Sequence, residues 1–133
     1  MKLVDANIII RFLTKDQKHK AERCKRLFED AVKGKIKLYI SDLTVAEVVW
    51  VLEKVYKCSR TDIREKVEAI LNTPNLIFQN KEIIAECTIL YDIHNIDFID
   101  AYHAVLMSKR DIEEIYSYNT DFDILERIIR KEP

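Results

Sequence analysis

The sequence predicts a three-layer α/β/α fold, with a central, mostly parallel sheet covered on both faces by helices. Short β-compatible runs alternate along the chain with longer runs whose apolar residues recur every three or four positions. Strands separated in this way by helices pair in parallel through right-handed crossovers. Size is the second observation: 133 residues, 48% of them apolar, suffice for one continuous core. No linker, repeat or low-complexity tract divides it, so residues 1–133 read as a single domain.

"KLVD" is short and apolar, and "ANIIIRFLT" follows directly with apolar residues on all sides, as a buried first helix requires. Residues from about 16 to 33 place Ala21, Cys24, Leu27, Phe28, Ala31 and Val32 on one helical face, with Gly34 where a C-terminal cap belongs. "KIKLYI" alternates as a strand. "SDLTVAEVVWVLEKVY" opens with two good N-cap residues, Ser41 and Asp42, before a strongly apolar helix. A second capped helix spans about Thr61 to Asn72, and Pro74 stops it. "NLIFQ" reads as a strand, and "KEIIAECTILYDIHN" returns to helical spacing through Ile83, Ile84, Cys87, Leu90 and Tyr91. A helix carrying "IDFIDAYHAV", a strand "EIYSY" and a short last helix around "DFDILERII" complete the chain.

Charge is balanced, with Lys+Arg 22 against Asp+Glu 23, which excludes a simple polybasic nucleic-acid binder but not a local acidic pocket beside local basic patches. Cys24, Cys58 and Cys87 are far apart and form no zinc spacing, as expected of reduced thiols in a cytoplasmic protein. "MKLVDANIII" is broken by Asp5 and Asn7 and followed by Arg11, so neither a signal peptide nor a membrane span is expected. Gly34 is the only glycine, and a dinucleotide fingerprint, a phosphate-cradling P-loop or a nucleophile elbow each needs several.

In parallel sheets, ligand sites form at the carboxyl ends of the strands. Asp5 closes the first strand, Glu47 lies in the first turns of the helix after the second, and Asn119 and Asp121 follow "IYSY". Asp97 and Asp100, three apart, share one face of a helix. Glu47 is expected to be buried by "TVAEVVWVL", at a cost of several kcal/mol without a partner. Apart from Arg11, no basic residue lies near these acids along the apolar stretches, so salt bridges are not the obvious compensation. Converging carboxylates resist ionising together, and a divalent cation removes that penalty. Oxygen donors favour Mg²⁺ or Mn²⁺. Such an ion activates water and stabilises a leaving oxygen, so the implied chemistry is phosphodiester hydrolysis.

"VDANIIIRFL", "LTVAEVVWVL", "DFIDAYHAVL" and "YSYNTDFD", in this order and spacing across the chain, resemble the PIN-domain family and most closely its small VapC-type toxins. The resemblance implies a ribonuclease in which Asp5, Glu47 and Asp100 hold Mg²⁺ or Mn²⁺ and a metal-activated water cuts RNA. It also implies a small antitoxin protein that blocks the site, and a homodimer. Asn119 stands where the family often has Asp; either Asp121, two residues on, substitutes as an outer ligand, or a second metal position is weak. Asp97 is placed as an outer ligand or general base, and Asn119 as a group that orients a water or a phosphate. Asn7, Thr44 and Ser117 are expected to hydrogen-bond the metal waters. Lys15, Lys18 and Lys20, with His19, Lys33, Lys35 and Lys37, are candidate RNA phosphate contacts.

Structural readings compete with these. Asp5, Asp97 and Asp121 are each placed to cap a helix. Trp50 suits a core or a dimer interface, and His94 and His103 suit ordinary surface or core positions rather than metal ligation. A haloacid-dehalogenase-like phosphatase would need Asp two residues after the first, where this chain has Asn7. A non-catalytic PIN domain that binds RNA or protein stays open because of Asn119, and metal-dependent cleavage lost on Asp5→Asn would separate the two.

Overall fold

In the computed structural model, which describes residues 1–133, five strands alternate with six helices. β1 (Lys2–Leu3), β2 (Leu38–Ile40) and β3 (Leu76–Phe78) form one parallel sheet in that order. β4 (Glu114–Tyr116) and β5 (Ile129–Lys131) form a second parallel ladder, separate from the first. The helices are α1 (Ala6–Thr14), α2 (Lys18–Val32), α3 (Asp42–Lys54), α4 (Arg60–Leu71), α5 (Lys81–Ile93) and α6 (Phe98–Lys109). The expected α/β/α fold with parallel strands is present, its sheet divided in two.

Local chemistry sets most boundaries. Ser41 Oγ accepts from the Thr44 amide at 3.2 Å and Ser59 Oγ from the Asp62 amide at 3.1 Å, caps that each contribute about 1 kcal/mol to α3 and α4. Gly34 turns the chain out of α2 at φ +79°, its N–H bonding Ala31 O at 2.9 Å. The Asn75 amide donates to the same carbonyl at 2.9 Å, tying the end of α2 to the start of β3.

Two expectations need correction. The strand "KIKLYI" shrinks to Leu38–Ile40, whose pairing with β1 opens with the Lys2 N–H on Lys37 O. The last helix is instead a 3-10 turn, Thr120–Ile124, followed by β5. There the β-branched pair Ile128 and Ile129 leads into pairing with β4, and the Ser117 N–H bonds Lys131 O at 3.0 Å.

A core cluster of 26 residues joins all of this. It takes Ile9 and Ile10 from α1, Val45, Val48, Val49 and Leu52 from α3, and Ile84, Cys87 and Tyr91 from α5. Each fully buried aliphatic side chain contributes about 1.5–3 kcal/mol. Burial also pushes the Cys87 thiol up to about 12, and all three cysteines are free. No helix is long and apolar enough to cross a membrane.

Candidate functional site

Because the strands in each sheet are parallel, the residues following them lie along one edge of that sheet. Asp5 follows β1 and caps α1, its Oδ1 accepting from the Ala6 amide at 2.7 Å, while the side chain stays exposed. After β2, Ser41 caps α3 and also donates to Thr44 Oγ1 at 3.1 Å, so Thr44 is part of the cap. Asp42 then ties three elements together. Its N–H donates to Gln79 Oε1 at 3.0 Å, and its Oδ2 accepts from Asn80 Nδ2 at 2.8 Å and from the Tyr102 hydroxyl at 2.6 Å. Its Oδ1 is buried without a partner, and the bond to Asp42 pushes the Tyr102 hydroxyl up to about 12. This tie fixes the start of α3 against α6.

Glu47 is exposed, contrary to the sequence expectation. α3 buries only its inner stripe, Val45, Val48, Val49 and Leu52. Leu43, 81% exposed, and Trp50, 59% exposed, accompany Glu47 on the outer side. Apolar residues on both sides of the helix made Glu47 look enclosed, but Leu43 and Trp50 face out. Trp50 therefore is not a core residue.

α6 carries the other acids. Asp97 stands at its N-cap, but the side chain makes no capping bond; it is 74% exposed and lies 3.9 Å from Arg60 Nη2. This is a correction: a cation from a different helix does reach one of these acids, Asp97. Asp100 sits in the first turn, not the helix interior, so the positive end of the helix dipole favours its charge. Its half-buried carboxylate accepts from Asn119 Nδ2 at 2.7 Å. Burial raises its pKa above the ordinary carboxylate range, as do the neighbouring charges of Asp97 and Asp121; the Asn119 bond and His103 pull the other way.

Asn119 connects this helix to β4. Its Oδ1 accepts from the Asp121 amide at 3.0 Å, which caps the 3-10 turn and points Nδ2 at Asp100, and its own N–H donates to Ser117 Oγ at 3.0 Å. The structure thus draws Asp97, Asp100, Asn119 and Asp121 into one neighbourhood, with His103 beside them. Asp5 caps α1 and Glu47 lies on the exposed side of α3. No three Asp, Glu, His or Cys side chains are gathered closely enough to hold a metal ion. The carboxylate oxygens of Asp97, Asp100 and Asp121 are donors that suit a hard dication; the full convergence expected from the sequence is absent in this arrangement.

The basic residues divide as well. Lys20 lines a groove of about 580 Å³ between α1 and α2 with Asn7, Arg11 and Arg23, next to the Asp5 cap. Lys15 and Lys18 line a smaller pocket of about 310 Å³ with Lys25. Lys33, Lys35 and Lys37 precede β2 and so sit at the amino edge of the sheet, away from the acids. His94 is exposed at the end of α5. Sequence reasoning missed Arg23, Asp42 and Arg60; an amphipathic reading of α2 exposes Arg23, whereas Asp42 and Arg60 act through partners far away in sequence.

The PIN domain family matches residues 2–128. A VapC ribonuclease of Aquifex aeolicus (strain VF5) is 33% identical over 122 residues, covering 92% of this chain and 90% of the relative. The crystal structure of the Mycobacterium tuberculosis toxin VapC20, described as sarcin–ricin loop cleaving, aligns over 93% of this chain and 94% of its own. At 16% identity and a TM-score of 0.40, that likeness is too loose to bear on function. A parallel α/β/α fold, acids following its strands, and a family match spanning nearly the whole chain make this protein a VapC-type member of the PIN-domain family.

Proposed function

We propose that the protein is a ribonuclease that depends on Mg²⁺ or Mn²⁺ and acts as the toxin of a toxin–antitoxin pair. The observation that carries this reading is Asp100. Its carboxylate is half-buried, held in one orientation by Asn119, raised by burial and by neighbouring acids, and bonded to no cationic side chain. Folding alone gains little from that arrangement, and a dication would relieve it. The activity named for the Aquifex aeolicus relative supports the same reading.

By the family resemblance Asp5 and Glu47 would join Asp100 in holding the ion, although the three carboxylates are not gathered to metal-binding distance in this arrangement; Asp97 would serve as an outer ligand or base and Asp121 would border the site. When bound, such an ion supplies an activated water and a counter-charge for the leaving oxygen. The chain's own contribution is orientation. Asn119 fixes the Asp100 carboxylate, Asp42 and Tyr102 hold α3 against α6, and Ser117 and Thr44 steady the strand ends. Asn7, Lys20 and Arg23 offer an RNA backbone one amide and two cations in the α1–α2 groove, with Lys15 and Lys18 extending the patch. The outward Leu43 and Trp50 favour a homodimer through α3. A small antitoxin protein would complete the pair, in the cytoplasm.

The non-catalytic alternative rested on Asn119 standing where Asp is common. Its amide has a use in an active site, namely holding Asp100, so that support weakens. The test is incubation of purified protein with structured and single-stranded RNAs, with Mg²⁺, with Mn²⁺ and with a chelator, beside Asp5→Asn and Asp100→Asn. Cleavage that requires the ion and disappears in both variants is expected; equal cleavage by all three proteins would refute the assignment.

A further inference from the structure

Arg60, the first residue of α4, stands where three helices and one connection meet. Its Nη1 donates to Tyr91 O at 2.8 Å and to Ile96 O at 2.5 Å. Its Nη2 lies 3.5 Å from Glu53 Oε1 and 3.9 Å from Asp97 Oδ1, and the guanidinium stacks 4.2 Å above the Tyr91 ring. Glu53, on α3, also accepts the Tyr91 hydroxyl at 2.6 Å.

Each of these contacts has a structural meaning. Tyr91 O is among the last four carbonyls of α5, which have no partner within the helix, so Arg60 caps α5 from outside. Ile96 O belongs to the residue just before the N-cap of α6. Between them the chain turns through Asn95 at φ +54°, and Ile96 is buried, so the connection is short and has little room to readjust. Asp100 follows Ile96 by four residues, within the first turn of α6. Any shift at Ile96 is therefore carried directly to the Asp100 carboxylate.

We infer that Arg60 is a positioning residue: by clamping the α5–α6 connection onto α3 and α4, it sets where Asp100 meets Asn119. This rests on the proposed nuclease reading for its catalytic consequence, though not for its geometry. A planar guanidinium can bond two carbonyls, face two carboxylates and stack on a ring at once; a lysine ammonium cannot. Misplacing a reacting group by about 1 Å can cost about a hundredfold in rate.

The experiment compares wild type with Arg60→Lys and Arg60→Met. Arg64→Met serves as control, because Arg64 braces α4 to Asp92 of α5 without touching the connection to α6. Melting temperature, kcat and KM for RNA cleavage, and the NMR resonances of the Asn119 side-chain amide are measured for each. Arg60→Lys, the variant most certain to fold, should lower kcat at least about tenfold with KM within about twofold. It should also move the Asn119 amide resonances, while Arg64→Met changes neither at a comparable loss of melting temperature. Wild-type kcat and an unmoved Asn119 amide in Arg60→Lys would overturn the inference, as would equal effects in Arg64→Met. If the wild type cuts no RNA, the nuclease reading fails and the Asn119 resonance alone decides whether Arg60 positions Asp100.

Discussion

Asn119→Asp offers a quantitative test of the site. Aspartate caps the 3-10 turn as well as asparagine does, so the substitution isolates the contact with Asp100, where an amide donor is exchanged for a second carboxylate. The original bond, 2.7 Å long and to a charged acceptor, contributes about 1.5–3 kcal/mol. Two carboxylates about 4 Å apart repel by about 4 kcal/mol at an effective dielectric of about 20. Protonating one of them at pH 7 also costs about 4 kcal/mol from an ordinary carboxylate pKa, which caps the penalty. A loss of about 2–4 kcal/mol is therefore expected in chelator. At about 2.1 cal/mol/K per residue, a chain of 133 residues should then melt about 7–14 °C lower. The assay is thermal denaturation in EDTA and again in millimolar Mn²⁺, where the added carboxylate becomes a ligand and the variant should recover more than the wild type gains. Equal melting temperatures for both proteins in EDTA would refute the Asp100–Asn119 contact.

Three further outcomes follow from the same structure. The Tyr91 hydroxyl, then Lys54 and Arg60, hold the Glu53 carboxyl below its usual 4.5, so its stabilising contribution is present above about that pH and is lost as pH falls through the lowered folded value. Urea melts from pH 7 to 3 should show a steep acid limb in wild type and a shallower one in Glu53→Gln; parallel limbs would contradict this. Gly34→Ala should cost about 1–2 kcal/mol, because an added Cβ meets only Asn75 Nδ2 at 4.0 Å and the penalty is the positive φ alone; a loss above about 3 kcal/mol in denaturant would indicate a clash. Trp50→Glu should change stability by no more than about 0.5 kcal/mol, since the ring is 59% exposed, yet shift a homodimer toward monomer in sedimentation. Unfolding of that variant would place Trp50 in the core after all.

Legibility in the sequence tracked the range of the interactions. Caps, stops and periodicity are local, so Ser41, Pro74 and the apolar spacing of α2 and α5 placed helices within a residue or two of where they lie. Asp5, Asn119 and Asp121 could be put near strand ends because each follows a β-compatible run, and in a parallel sheet those ends share an edge. Which way a helix turns is decided by what packs on it, and nothing in "LTVAEVVWVL" marks Leu43 and Trp50 as outward, so Glu47 was expected to be buried. The same holds for β5, whose partner β4 lies 15 residues earlier in register, Ile129 against Glu114. Arg60 lies 31 and 36 positions from the carbonyls it holds, and Asp42 lies 60 from Tyr102, distances over which spacing says nothing.

The central claim is that the acids at the start of α6 and after the strands, Asp100 foremost, form a seat for a divalent cation. Titration of Mn²⁺ into the metal-free protein, followed calorimetrically and by paramagnetic broadening of the Asn119 side-chain amide, tests it without reference to RNA. The account predicts one or two bound ions, broadening of that amide, and affinity at least about tenfold weaker in Asp100→Asn, a difference of about 1.4 kcal/mol. Equal Mn²⁺ affinity in the two proteins, with the Asn119 amide unbroadened, would contradict it.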